Sequence, residues 1–306
     1  MSRILQKLIV NLAPGKVLRR LQQNAWRSAG LTRHELQLAD GSRYVYLDGG
    51  SGEPLLLLHG FGANKDNFSR VAAHLTDRYR VIIPDHIGFG ESTPPSDSDY
   101  GCEAQARRLA QLLNALGVDN VHLGGNSMGG QIALTFAARY ASRVDSLWLL
   151  NSAGIWSVPG SEEWQQAERD GINLLLVRSP EDYAALLKRS MHRAPELPRA
   201  MIRTLAAARI ANLEREQRAF QALTEDSVED RVRGLKTPVL LVWGDEDRII
   251  SPAAADVLAG LLADVQVIRL PEIGHLPMIE CPERVARDYL QFRESLSGSA
   301  SAASAG

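Results

Sequence analysis

Short apolar runs recur along the chain at Leu55–Leu58, Val81–Ile83, Val121–Leu123, Leu147–Leu150, Val239–Trp243 and Val265–Leu270. The first three give way to His59-Gly60, Asp85 and Gly124-Gly125. Brief apolar stretches bounded by turn residues suit strands buried on both faces. Helix-like stretches lie between them at Phe68–Leu75, Gln105–Leu116, Gln131–Tyr140 and Ala253–Leu262. This alternation predicts a parallel sheet wrapped by helices, an α/β fold. Two earlier runs, Glu35–Leu38 and Tyr44–Leu47, flank Asp40-Gly41. A hairpin there makes the first strands antiparallel.

The alternation stops after Leu150. From about Trp156 to Arg233 the pattern is helical, punctuated by Pro159-Gly160, Pro180, Pro195 and Pro198, and strands resume at Pro238. A helical insertion at the carboxyl end of a strand lies over the ligand crevice of such a sheet. The expected organisation is an N-terminal extension over 1–30, a core over 31–154 and 235–294, and a helical cap over 155–234. The Ser-, Ala- and Gly-rich segment 295–306 reads as a disordered tail.

Composition adds mainly exclusions. The chain has 306 residues, 45% hydrophobic and 23% charged, as globular proteins do. A net charge of −2 gives no reason to expect nucleic acid. Cys102 and Cys281 are too few for a disulfide framework, and their spacing suggests no metal site. A reduced, cytoplasmic compartment fits them. No run approaches the ~18 apolar residues of a membrane span, and no signal peptide is recognised.

Local charge is less even. Residues 1–34 carry Arg3, Lys7, Lys16, Arg19, Arg20, Arg27 and Arg33 before the first acid, Glu35. Ile4, Leu5, Leu8, Ile9 and Leu12 repeat at helical spacing, Pro14-Gly15 interrupts, and Val17, Leu18, Leu21 and Ala25 continue. A basic amphipathic helix suits the surface of an anionic bilayer, here the inner membrane. The competing reading is a helix packed on its own domain or at a homodimer contact.

Candidate chemistry centres on Gly125-Asn126-Ser127-Met128-Gly129, a G-x-S-x-G between a strand and a helix. The turn lifts Ser127 toward a helix N-terminus, and a side chain at either glycine would crowd it. A serine needs a base. His275, flanked by Gly274 and Pro277, follows the last strand. His59, His86 and His122 stand at strand ends, and His34, His74 and His192 have no helpful neighbours. The acid is expected at Asp247 in Trp243-Gly244-Asp245-Glu246-Asp247, with Asp245 as competitor. The other position used for such an acid is Asn151, which carries no charge. The order Ser127, Asp247, His275 is that of α/β-hydrolases. In that architecture Phe61, in His59-Gly60-Phe61-Gly62, and Met128 supply the oxyanion-hole N–H groups.

These segments, with DHIGFGES at 85–92, WGDEDRIISP at 243–252 and RSPEDY at 178–183, resemble the α/β-hydrolase superfamily from about residue 43 to residue 294. Within it the chain is similar to bacterial membrane-associated lipases, lysophospholipase-like esterases and monoacylglycerol lipases. The resemblance implies a mostly parallel eight-stranded sheet with flanking helices and a helical cap. It also implies a serine hydrolase of lipid acyl esters, acting through an acyl-enzyme without cofactor or metal. Two features depart from the pattern. Asp85 is followed by His86-Ile87 where relatives often have Leu-Pro or Met-Pro. The loop after His59-Gly60 reads Phe-Gly-Ala-Asn, unlike the Ser-Gly-Pro-Gly type of hydrolases that cleave carbon–carbon bonds of ring-fission products. Such a hydrolase, and a non-catalytic binding module, are the alternatives. Leu174, Leu175, Leu176, Val177, Leu186, Leu187, Met191, Met201, Ile202 and Leu205 are available to line a pocket, though packing within the insertion is the simpler role for each.

Overall fold

A computed structural model describes residues 13–94 and 98–303. Its sheet has eight strands: β1 (Leu31–Gln37), β2 (Arg43–Gly49), β3 (Glu53–Leu58), β4 (Tyr79–Pro84), β5 (Val121–Ser127), β6 (Val144–Ser152), β7 (Val239–Gly244) and β8 (Val265–Leu270). They lie in the order β1-β2-β4-β3-β5-β6-β7-β8. β2 runs antiparallel to both β1 and β4, and the other pairings are parallel. The hairpin between β1 and β2 closes at Asp40-Gly41, where Gly41 has a φ of 88° and Asp40 Oδ1 accepts from Ser42 N. β1 begins earlier than expected, at Leu31. It is an edge strand with polar residues such as Thr32 and Arg33, so no apolar run marks its start.

The central strands are buried on both faces, and successive side chains enter different cores. Leu56 and Leu58 pack with the helices α3 (Cys102–Ala115), α4 (Met128–Arg139) and α9 (Ala253–Leu261). Leu55 and Leu57 pack on the opposite face with Phe68, Leu75, Met278 and Tyr289. All four leucines are fully buried. Burying one such side chain contributes roughly 1.5–3 kcal/mol. The helix expected over Phe68–Leu75 is shorter and begins sooner. A 3₁₀ turn, Lys65–Phe68, capped by Asn64, leads into α2 (Ser69–Ala72). Beyond it, His74 N and Leu75 N bond back three residues, to Val71 and Ala72.

Four helices fill the interval between β6 and β7: α5 (Glu162–Arg169), α6 (Pro180–Ser190), α7 (Arg199–Ala211) and α8 (Leu213–Thr224). The punctuating residues set their starts. Ser161 caps α5, and Ser179 caps α6 with Pro180 in its first turn. After β8 come α10 (Pro277–Glu280) and α11 (Pro282–Ala303). α11 continues past Ser295, where an irregular tail was expected. Alanine is the strongest helix former, and the helix propagates through the Ser/Ala stretch.

At the other end, Pro14 and Gly15 open helix α1 (Pro14–Ser28). Ile4, Leu5, Leu8, Ile9 and Leu12 lie outside the described residues. Val17, Leu18, Ala25 and Trp26 are half-buried. Trp26 Nε1 and Gln22 Nε2 both donate to the Asp66 carboxylate, at 2.6 and 2.7 Å, which anchors the helix on the domain. Lys16, Arg19, Arg20 and Arg27 border one open hollow on its outer face, and Leu21 is also exposed.

Candidate active site

Ser127 stands at the junction of β5 and α4 with φ 56° and ψ −122°. A non-glycine residue with positive φ persists only where its surroundings enforce it. Here they do. A Cβ on Gly125 would lie 2.3 Å from the Gly129 carbonyl oxygen, and one on Gly129 would lie 2.1 Å from that of Leu58. Gly125 therefore lets the turn close on the start of α4, and Gly129 lets it pack against the end of β3. Met128 is the first residue of α4, so its N–H is among those without a partner inside the helix. Gly60, beside Phe61, lies so close that a Cβ on it would be 3.2 Å from Ser127 Cβ.

The loops after β7 and β8 bring the other two residues together. Asp247 Oδ2 accepts from His275 Nδ1 at 2.8 Å, and both residues are buried. Asp247 Oδ1 accepts from Ile249 N and Ile250 N at 2.8 and 3.0 Å, so the loop's own backbone fixes the carboxylate. Asp245, the competing acid, points elsewhere and pairs with Arg269 at the surface. His275 is held from three sides. Its N–H donates to Ser190 O at the end of α6, its carbonyl accepts from Asn126 Nδ2 at 3.0 Å, and the neighbouring Gly274 N donates to Glu280. Asn126, the residue before Ser127, thus ties the serine turn to the histidine loop.

The neighbour that supports the acid stands at the other position used for such an acid. Asn151, in the left-handed region at φ 47°, donates Nδ2 to Asp247 Oδ2 at 2.7 Å. Having no charge of its own, it serves the acid as a neighbour. The departure at His86 is also accounted for. His86 N donates to His59 Nε2 at 3.0 Å, which leaves His59 Nδ1 to donate to Gly60 O. Burial pushes the His59 imidazole down to about 4 and His86 well below its ordinary range, so both are neutral braces of the Phe61 loop.

Ser127 opens into a cavity of about 320 Å³. Phe61 and Ile249 form part of its core side, while Trp156, Trp164, Leu175 and Phe220 come from the insertion and its approach. Of the ten aliphatic residues that were candidates, only Leu175 lines it. Leu176, Val177, Leu186, Met191 and Met201 are buried in packing, while Leu187 and Ile202 border a separate hollow. Aromatic residues spaced irregularly through the insertion take their place, and no periodic pattern marks them.

Residues 53–282 match the model of a family described by the alpha/beta hydrolase fold. Lipase 1 of Psychrobacter immobilis is 44% identical over 269 residues, covering 85% of this chain and 84% of that protein. A monoacylglycerol lipase of Homo sapiens is 28% identical, covering 79% and 75%. The crystal structure of a membrane phospholipase A, a bacterial virulence factor, superposes with a TM-score of 0.88 at 37% identity, covering 97% of this chain and 99% of that one. With its mostly parallel eight-stranded sheet, the chain belongs to the alpha/beta hydrolase fold family.

Proposed function

We propose that this chain is a serine hydrolase of lipid acyl esters in which Ser127, His275 and Asp247 act as a catalytic triad. The chain is a carboxylic ester hydrolase, and the lipases and the phospholipase it resembles favour lipid esters as its substrates. The single observation that carries the reading is the opening of Ser127, at a strained strand-to-helix turn, into an apolar cavity.

In the proposed reaction His275 takes the Ser127 hydroxyl proton as Oγ attacks the ester carbonyl. Asp247 holds the imidazole by Nδ1 and stabilises its charged form. The N–H groups of Phe61 and Met128 receive the developing oxyanion. The tetrahedral adduct collapses, the proton passes from His275 to the leaving alcohol, and an acyl-enzyme remains. Water, deprotonated by the same imidazole, then releases the fatty acid and restores Ser127.

α1 extends the reading to location. Its outer face carries Lys16, Arg19, Arg20 and Arg27 and no acid, which suits an anionic lipid surface. Among the described residues no helix is long and apolar enough to cross a membrane. Attachment by this route is peripheral.

Fatty-acid release from a monoacylglycerol and from a lysophospholipid with the same acyl chain tests the substrate class, with Ser127→Ala as the blank. Release from either that disappears in the variant supports the reading. Equal release by both proteins contradicts it.

A further inference from the structure

We infer that Arg209, on cap helix α7, is a positioning residue that fixes the Phe61 loop for catalysis. The inference rests on the proposed oxyanion role of Phe61. Arg209 is 9% exposed, and its guanidinium meets three separate segments. Nε donates to Glu216 Oε1 on α8 at 2.6 Å. Nη2 donates to the carbonyl of Leu175, a residue of the cavity wall, at 2.7 Å. The guanidinium carbon lies 5.7 Å from the centroid of the Phe61 ring.

The fit to the loop backbone is close. A Cβ on Gly62 would lie 2.1 Å from the guanidinium carbon, and Gly62 has a φ of 64°. The glycine therefore serves both its own left-handed conformation and the seat of the arginine. The Phe61 ring is held edge-on between Phe89 of the core and Phe220 of α8, each at 5.6 Å between centroids. Arg209 thus joins the loop expected to bind the oxyanion to two cap segments that wall the acyl cavity.

Stability alone does not explain this arrangement. A buried ion pair gains little over apolar residues of the same volume. A planar cation that reaches a carboxylate, a carbonyl and an aromatic ring together is a means of fixing geometry. Oxyanion donors act through preorganisation, so a loop released from Arg209 binds the transition state less well while ground-state binding changes little.

The test compares wild type with Arg209→Met and Arg209→Lys on a p-nitrophenyl ester, with Ser127→Ala as blank. Each protein is also titrated with an alkyl boronic acid. Ser127 Oγ adds to the boron, its proton passes to His275, and a boron-bound oxygen takes the oxyanion position. The expected result for Arg209→Met is a fall in kcat of about 10- to 100-fold with a parallel loss of boronate affinity and a KM nearly unchanged. Arg209→Lys recovers part of both. Unchanged kcat, or a change confined to KM with boronate affinity intact, overturns the inference. Should Arg209→Met fail to fold, Glu216→Gln keeps the side-chain volume and removes the charge partner. A smaller fall in kcat and boronate affinity is then expected, and no fall overturns the inference. Absence of any Ser127-dependent turnover in wild type would instead defeat the proposed function itself.

Discussion

Asn151 donates its side-chain amide to the same Asp247 oxygen that accepts from His275, at 2.7 and 2.8 Å. One carboxylate oxygen is thereby shared between a fixed neutral donor and the imidazole. Asn151→Gly preserves the positive φ and removes the whole side chain, with both its donation to Asp247 and its acceptance from Gly244 N. The expected outcome is a loss of about 1–3 kcal/mol in stability, read from denaturant midpoints, together with lower kcat/KM. No change in either would show that the contact carries nothing.

The two acids of the β7 loop separate cleanly by mutation. Asp247→Asn is expected to lower kcat by roughly 10³- to 10⁴-fold, as loss of the triad acid does elsewhere. Asp245→Asn, which removes a surface pair with Arg269, should leave kcat within a few-fold. Steady-state kinetics on one soluble ester decides. A larger effect at Asp245 would reassign the acid.

Leu175 faces the cavity, and its carbonyl still reaches Arg209 whatever side chain it carries. Leu175→Trp fills part of the acyl space. Long-chain esters should lose about 10-fold or more in kcat/KM per excluded methylene while short esters are spared. Equal losses across chain lengths would place the acyl chain elsewhere.

Stability should depend on pH through the buried imidazoles. His59 ionises near 6.5 when unfolded and is pushed by burial to about 4 in the fold. The unfolded chain therefore binds the proton first as pH falls. The stabilisation is complete above about pH 6.5 and is lost progressively down to about pH 4, on the order of 3 kcal/mol in all. Glu91 acts at lower pH. Burial opposes its charge, but Arg33 and Lys65 outweigh this and hold it at about 2, against an ordinary 4.5. Burial also raises the Asp66, Asp85 and Glu216 carboxyls, which add an opposing slope, so the His59 share of the urea midpoints between pH 6.5 and 5 is read as the difference from His59→Gln, whose slope should be flatter. An unaltered slope would assign it to other groups.

The basic face of α1 makes a prediction about vesicles. Each cation near an anionic surface is worth about 1 kcal/mol, so neutralising Arg19 and Arg20 together should weaken binding roughly 30-fold. Gln22 and Trp26 still anchor the helix through Asp66. Cosedimentation with phosphatidylglycerol-containing vesicles measures this, and equal binding by the double variant would reject the membrane role.

Much of this molecule was legible in its sequence because its strands are buried on both faces. Leu55–Leu58 and Val239–Trp243 could be read directly, since no polar face interrupts them. Edge strand β1 was only partly visible because solvent tolerates its polar residues. The residues of the site followed from local chemistry: two glycines that the Ser127 turn requires, and an acid placed to reach a loop histidine. What escaped was support from a distance. Arg209 meets the Phe61 loop across the cap, and Asn151, legible only as an uncharged residue at the acid's other position, reaches Asp247 from 96 positions away. Nothing in either local sequence encodes those meetings, which depend on how the insertion settles over the sheet.

The most direct measurement is the hydrolysis rate of p-nitrophenyl esters from acetate to palmitate, by wild type and by Ser127→Ala. The account predicts Ser127-dependent turnover with a maximum at medium or long chains. Activity confined to acetate and butyrate would contradict the lipid assignment, and no Ser127-dependent hydrolysis of any ester would contradict the ester chemistry itself and favour cleavage of carbon–carbon bonds.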